Sequence, residues 1–191
     1  MSLNVLVIDR SPPVDRLQGN SLIGAEVFRR LSAHRLTLVA PSSDSDRSEL
    51  ASLGEVFHRM VLVPRASRVP ALAGSLEADL RGVPPLPGLD IGFARRLRSR
   101  IAELVHNEAF DVVHVRQLPM APYGRSVGGS RLLELVDSEA LGAERAVPAT
   151  RRTALRASMA RLVERRAMRG YDVVTVVADA DAARLRQLDP R

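Results

Sequence analysis

The residues able to do chemistry stand just after short apolar runs of this chain. Asp137, Ser138 and Glu139 follow the run Leu132–Val136. Two carboxylates past the end of a buried strand occupy a position where catalytic groups often sit. Asp137 and Ser138 equally suit capping of the next turn through their side-chain oxygens. The stretch Asp111-Val112-Val113-His114-Val115-Arg116-Gln117 carries a second set. Alternation along a strand points His114 and Arg116 to one face, with Arg116 and Gln117 at the strand's carboxyl mouth. Read functionally, this polar pair lines a cleft in which the planar guanidinium fork recognises phosphate or carboxylate. Read structurally, His114 is a core histidine satisfied by hydrogen bonds. A third set lies in the polar, proline-bearing loop Ser11–Gly19, which holds Arg16 and ends at Gly19 and Asn20. A glycine before a helix lets backbone amides face an anion, with the helix dipole behind them, although a lone glycine also serves an ordinary turn.

The elements that must position these groups follow from hydrophobic patterning. Continuous apolar runs predict buried strands at 4–8, 36–40 and 132–136, and further strands are expected at 56–63, 111–115 and 172–177. Between them the spacing predicts helices at 20–32, capped by Asn20, and at 46–53, stopped by Gly54. Further helices are expected at 71–80, at 90–107 capped by Asp90, at 149–169 and at 179–188. Pro41 is expected to end the second strand. Residues 65–90, rich in proline, read as a variable insertion. Strands that alternate with helices imply an α/β, Rossmann-like parallel sheet with right-handed crossovers and helices on both faces. Ligands of such sheets sit beyond the carboxyl ends of the strands, where all three sets of residues fall.

The helix at 149–169 carries seven arginines and one glutamate, Glu164, with Leu155, Met159 and Leu162 marking its apolar face. It reads either as a surface for membrane or an anionic partner, or as a packed helix with a solvated basic face. All 28 basic residues are arginine, and the net charge is +6. Codon bias explains the missing lysine; an anion-attracting surface is the sharper alternative. Aromatics make up only 3% of the chain, which disfavours nucleic acid as a partner. The length of 191 residues suits one full-sized domain. With no cysteine there are no disulfides or thiolate metal sites, and the four histidines show no metal-ligand spacing. No apolar run reaches the roughly 20 residues of a membrane span. The expected location is the cytoplasm, with the arginine-rich helix as the one candidate for peripheral contact with the membrane's inner face. The triple-glycine dinucleotide fingerprint and the lysine-bearing phosphate loop are both missing.

Taken in order, the motifs resemble those of group 1 (family 4) glycosyltransferases. Asp111–Val115 resembles their DVVHxH strand, Tyr171–Asp181 their DxVxxVSxxD strand and helix start, and Arg29–Val39 their helix-to-strand junction. His114–Tyr123 and Leu133–Ser138 are similar to the HVHQLxMAPY and LDLVDxDS stretches of exopolysaccharide-type sugar transferases. The resemblance implies that residues 1–191 form the N-terminal, acceptor-side domain of a GT-B enzyme. A C-terminal donor-binding domain would lie outside the chain, and the chain alone would not turn over substrate. It further implies transfer from a nucleotide-sugar to a glycan, lipid-linked or small-molecule acceptor, with retention and without a metal. By the same resemblance, Gly19 and Asn20 fall on the family's glycine-bearing loop near donor phosphates and acceptor. Asp137 falls where many members place a histidine near the reacting carbon. Arg116 stands where the subgroup often has a second histidine, Ala178 replaces the usual serine, and Ile23 and Ala25 take the places of an arginine and a tyrosine.

Two other classes compete. A response-regulator receiver shares the start Val5–Asp9 but needs a late lysine that this chain lacks. A non-catalytic Rossmann-like binding or scaffold domain needs none of the site residues and is the alternative reading.

Overall fold

The computed structural model describes residues 2–13, 19–42, 51–64, 91–145 and 151–190. Arg16, the expected insertion at 65–90 with its helix at 71–80, and most of the helix expected at 46–53 lie outside them. Six strands form one sheet: β1 (Asn4–Ile8), β2 (Arg35–Ser42), β3 (Arg59–Pro64), β4 (Val112–Arg116), β5 (Ser130–Leu135) and β6 (Val173–Val176). Their order is β3-β2-β1-β4-β5-β6 and every pairing is parallel. This is the doubly wound Rossmann order, with its topological switch between β1 and β4.

Side-chain alternation sorts the sheet into two cores. Leu6, Ile8, Val113, Val115, Leu133 and Leu135 face one side. There they meet Phe93, Leu97, Ile101 and Leu104 of helix α2 (Ile91–Asn107). Val5, Val7, Leu36, Leu38 and Ala40 face the other side and meet Phe28 of helix α1 (Gly19–Arg30) and Phe57. The Phe28 and Phe57 rings lie 5.2 Å apart in a tilted arrangement. In β1, β2, β4 and β5 apolar runs thus mark strands covered on both faces, whereas at the sheet edge β6 leaves Val173 exposed.

Three boundaries differ from expectation. Helix α1 begins at Gly19, so Asn20 lies inside its first turn instead of capping it. The third strand starts at Arg59, because the Val56 and Phe57 amides both donate to the Leu53 carbonyl and hold those residues at the end of the 3-10 turn over Ala51–Glu55. Pro41 does not end β2, which runs on to Ser42. The Val39 carbonyl faces β1, accepting from the Asp9 amide. Pro41, two residues on, faces the same side just past the end of β1, so its missing N–H costs no ladder bond.

After β4 the chain makes a 3-10 turn (Leu118–Met120) and a short helix α3 (Ala121–Gly124). After β5 come α4 (Glu139–Glu144) and the long α5 (Arg151–Met168), and α6 (Asp179–Leu188) follows β6. The packed side of α5 is not the expected one. Leu155, Met159 and Leu162 are 64%, 44% and 66% exposed, whereas Ala157, Glu164, Ala167 and Met168 are buried. Glu164 fixes this rotation. Its carboxylate accepts from Ser138 Oγ at 3.1 Å and from the Ala140 amide at 3.2 Å. Those donors, at the start of α4, would otherwise be orphaned. Burial raises the Glu164 pKa against these hydrogen bonds.

Gly129, at the entry to β5, has φ +95°, and a Cβ there would overlap the main-chain carbonyl of Phe110. Gly129→Ala is expected to destabilise the chain by about 3 kcal/mol, from left-handed strain plus a backbone clash. Chemical denaturation measures this; parent-like stability would mean the entry to β5 adapts freely.

Candidate functional site

The switch point of a doubly wound sheet opens a crevice at the carboxyl ends of its strands. Here that point is flanked by Asp9, just past β1, and by Arg116 and Gln117 at the end of β4. On the α1 face of the sheet the apolar pattern of β1 and β2 gives way to charge. Arg116 Nη1 donates to Asp9 Oδ2 at 2.6 Å. Its Nε and Nη2 donate to Glu134 Oε1 at 3.1 and 3.0 Å. The other Glu134 oxygen lies 2.9 Å from His114 Nε2. Register explains the meeting: Arg116 pairs directly with Glu134 across β4 and β5. Strand alternation puts His114 on the same face.

Helix α1 closes this network from above. The Arg116 side chain is 1% exposed. The Phe28 ring centroid lies 5.7 Å from the guanidinium carbon and 5.4 Å from the His114 ring. Gly24 sits against the guanidinium so closely that a Cβ would overlap Arg116 Nη1. Arg116 is therefore held between two internal carboxylates. The fork that the strand-mouth position offered to a ligand is engaged by Asp9 and Glu134.

The electrostatics follow from burial and pairing. Burial opposes ionisation of Glu134, but hydrogen bonds from His114 and Arg116 outweigh it and hold its carboxyl at about 2. Asp9 is fully enclosed, and there desolvation wins over the pull of Arg116, so its pKa is raised. The division is physically sensible. Two carboxylates share one guanidinium, and the more deeply buried of the two, Asp9, is shifted up while Glu134 is shifted down. Burial lowers the Arg116 pKa, but its acidic neighbours raise it further and the guanidinium stays charged.

The remaining candidates fall around the same carboxyl edge. Gln117 has φ 69° and ψ 141°, the one positive-φ non-glycine among the described residues. Its amide donates to the Glu134 carbonyl at 2.8 Å, which pins the turn directly above the charged network. Such strain is kept where surrounding structure over-determines it. Asp137 is exposed just past β5. Ser138 is buried and caps α4: its Oγ accepts from the Leu141 amide, while its own amide donates to Asp181 Oδ1 at 3.1 Å. Gly19 and Asn20 open α1. Arg16 lies outside the described residues. Among the described residues no group of His, Asp or Glu could hold a metal ion.

Asp9 and Glu134 were not among the candidates from sequence. A signal for Glu134 was present: one charge inside an apolar strand run, on the parity that faces a helix, must find a buried partner.

Replacing Glu134 with Gln removes the ionised partner of a buried guanidinium and is expected to cost about 3 kcal/mol at neutral pH. The folded-state pKa of Glu134 lies below its ordinary value. Its contribution is therefore complete above about pH 4.5 and is lost as pH falls toward about 2. Asp9 acts with the opposite sign, because its raised pKa stabilises the fold only while the carboxyl is protonated, and this is lost as pH rises. Urea unfolding at stepped pH is expected to show the gap between the parent and Glu134→Gln closing between about pH 5 and 2. A constant gap would detach Glu134 from the ionised network. Gly24→Ala is expected to cost about 2 kcal/mol by displacing the pinned guanidinium, read by thermal unfolding.

No family model and no curated protein matches the chain. Among the solved structures that match are two of Arabidopsis thaliana UGT89C1. The complex with UDP aligns with a TM-score of 0.54 at 15% identity, and the complex with UDP-L-rhamnose with a TM-score of 0.56 at 11% identity. Each alignment covers 100% of this chain and 49% of the other, so the chain spans about half the length of the structures it matches. At these identities the likeness is one of fold: the chain has the architecture of one Rossmann-like half of a GT-B glycosyltransferase.

Proposed function

We propose that this chain is the N-terminal, acceptor-side half of a GT-B glycosyltransferase that moves a sugar from a nucleotide-sugar to a glycan, lipid-linked or small-molecule hydroxyl. The observation that carries this reading is the alignment of the whole chain with half of an enzyme whose structures hold UDP and UDP-L-rhamnose. The motif order that resembles group 1, family 4 transferases of the exopolysaccharide type adds retention of configuration and a metal-free mechanism.

In this reading the site is the carboxyl edge of the sheet. Asp137 orients or deprotonates the acceptor hydroxyl; its exposure past β5 leaves it available to do so. Amides at the opening of α1, by Gly19 and Asn20, face the donor diphosphate with the helix dipole behind them. Arg16 supplies the cation in the loop before α1, since the Arg116 fork is engaged by Asp9 and Glu134. Arg116, His114 and Glu134 act as a rigid base under Gln117, and Ser138 holds the start of α4 through Glu164. Catalysis then rests on placing the hydroxyl against the donor carbon and stabilising the leaving diphosphate.

One observation favours the second reading, a non-catalytic Rossmann-like binding domain: the strand-mouth arginine is satisfied from within the chain. Turnover of UDP-, GDP- and dTDP-sugars by the gene's complete product separates the two. Asp137→Ala is expected to lower kcat/KM by about 10²- to 10⁴-fold with an unchanged melting temperature, because its side chain is exposed. Turnover indifferent to Asp137 would discard it as the reacting group. Neither turnover nor binding of any donor would favour the non-catalytic domain.

A further inference from the structure

At the opposite end of the sheet lies a cleft of about 670 Å³ that the proposed transfer does not use. It is lined by Arg125, Arg131, Arg165, Arg166 and Arg169, with Leu162 and Gly170. Arg131 stands at the amino-terminal end of β5, and Arg169 and Gly170 precede β6. The cleft is therefore on the amino edge, away from Asp9, Gln117 and Asp137. Five guanidiniums converge there against two carboxylates: Asp172, 3.5 Å from Arg131, and Asp189, 3.2 Å from Arg169. Arg125, Arg165 and Arg166 have no carboxylate partner among the described residues. Such a concentration of forks fits a phosphate anion.

The cleft continues into an apolar row. Leu155, Met159 and Leu162 follow one another at helical spacing along α5, all exposed, and the same stripe runs on to Arg165, Arg166 and Arg169. At 1.5 Å per residue, the apolar part extends for roughly 10 Å. A free phosphate compound would account for the arginines and leave the exposed row unexplained. An anionic phospholipid surface accounts for both, with head-group phosphate in the cleft and the row sunk among acyl chains. No helix of the described residues is long and apolar enough to cross a membrane, so this contact would lie in the plane of the surface.

We propose that this cleft and the row Leu155, Met159 and Leu162 form a docking site for anionic phospholipid. The test is sedimentation of the 191-residue chain with vesicles of phosphatidylcholine alone or mixed with phosphatidylglycerol. Binding is expected only to the anionic vesicles and is expected to weaken as salt rises. Arg165→Gln with Arg166→Gln is expected to weaken binding about 30-fold, at about 1 kcal/mol per arginine. Met159→Ser with Leu162→Ser is expected to weaken it at least tenfold at constant charge. All four side chains are exposed, so these variants are expected to keep the parent's melting temperature. Equal binding to neutral vesicles, no binding to either, or indifference to either double variant would overturn the proposal. Inorganic pyrophosphate is the competing probe. If it binds tightly at physiological salt while the serine pair leaves vesicle binding intact, the cleft is a site for a free phosphate compound and the lipid assignment falls.

Discussion

A guanidinium sealed inside the sheet at its switch point is the constraint around which the rest is arranged. A buried, unpaired cation would cost several kcal/mol, a large share of a domain's stability, so the fold brings carboxylates to it. Asp9 comes from the end of β1 and Glu134 from β5, residues far apart in sequence but adjacent once β1, β4 and β5 lie side by side. Removal of Arg116 would leave Asp9 and Glu134 buried without their shared cation, which makes strand order and charge placement mutually dependent. The network also accounts for Gly24, since only a residue without a Cβ allows α1 to close over the guanidinium.

The same arrangement divides labour along the carboxyl edge. Groups under α1 are committed to one another, whereas Gln117 and Asp137 stand at or near the surface on turns that this rigid base supports. A site that must hold a substrate gains from side chains whose positions are set before binding. Ser138 belongs to the supporting set too. Its hydroxyl, the α4 amides and Glu164 tie the turn after β5 to α5. The rotation of α5 that satisfies those amides also sends Leu155, Met159 and Leu162 outward. One buried carboxylate thus stabilises the turn after β5 at the carboxyl edge and, through the same helix, presents an apolar and basic surface.

Much of this was legible in the sequence because parallel strands covered on both faces must be apolar throughout. The runs at 4–8, 111–115 and 132–136 therefore marked β1, β4 and β5 to within a residue or two. Boundaries set by the neighbourhood were not legible. Pro41 remains in β2 because β1 has already ended beside it, and Phe57 leaves β3 to join a turn against Phe28. Neither fact is local to the residue concerned.

By itself the sequence determined the class of fold, the parity that places His114 and Arg116 on one face, and the concentration of polar groups at the carboxyl ends of the strands. These depend on periodicity, which neighbours in the chain carry. The tertiary structure alone decided what those groups bind. Whether Arg116 faces a ligand or two carboxylates depends on which strand lies beside β4 and how near α1 approaches. Which side of α5 is packed depends on Glu164 finding the orphaned donors of α4. Both are long-range pairings, and no spacing within a helix or strand encodes them.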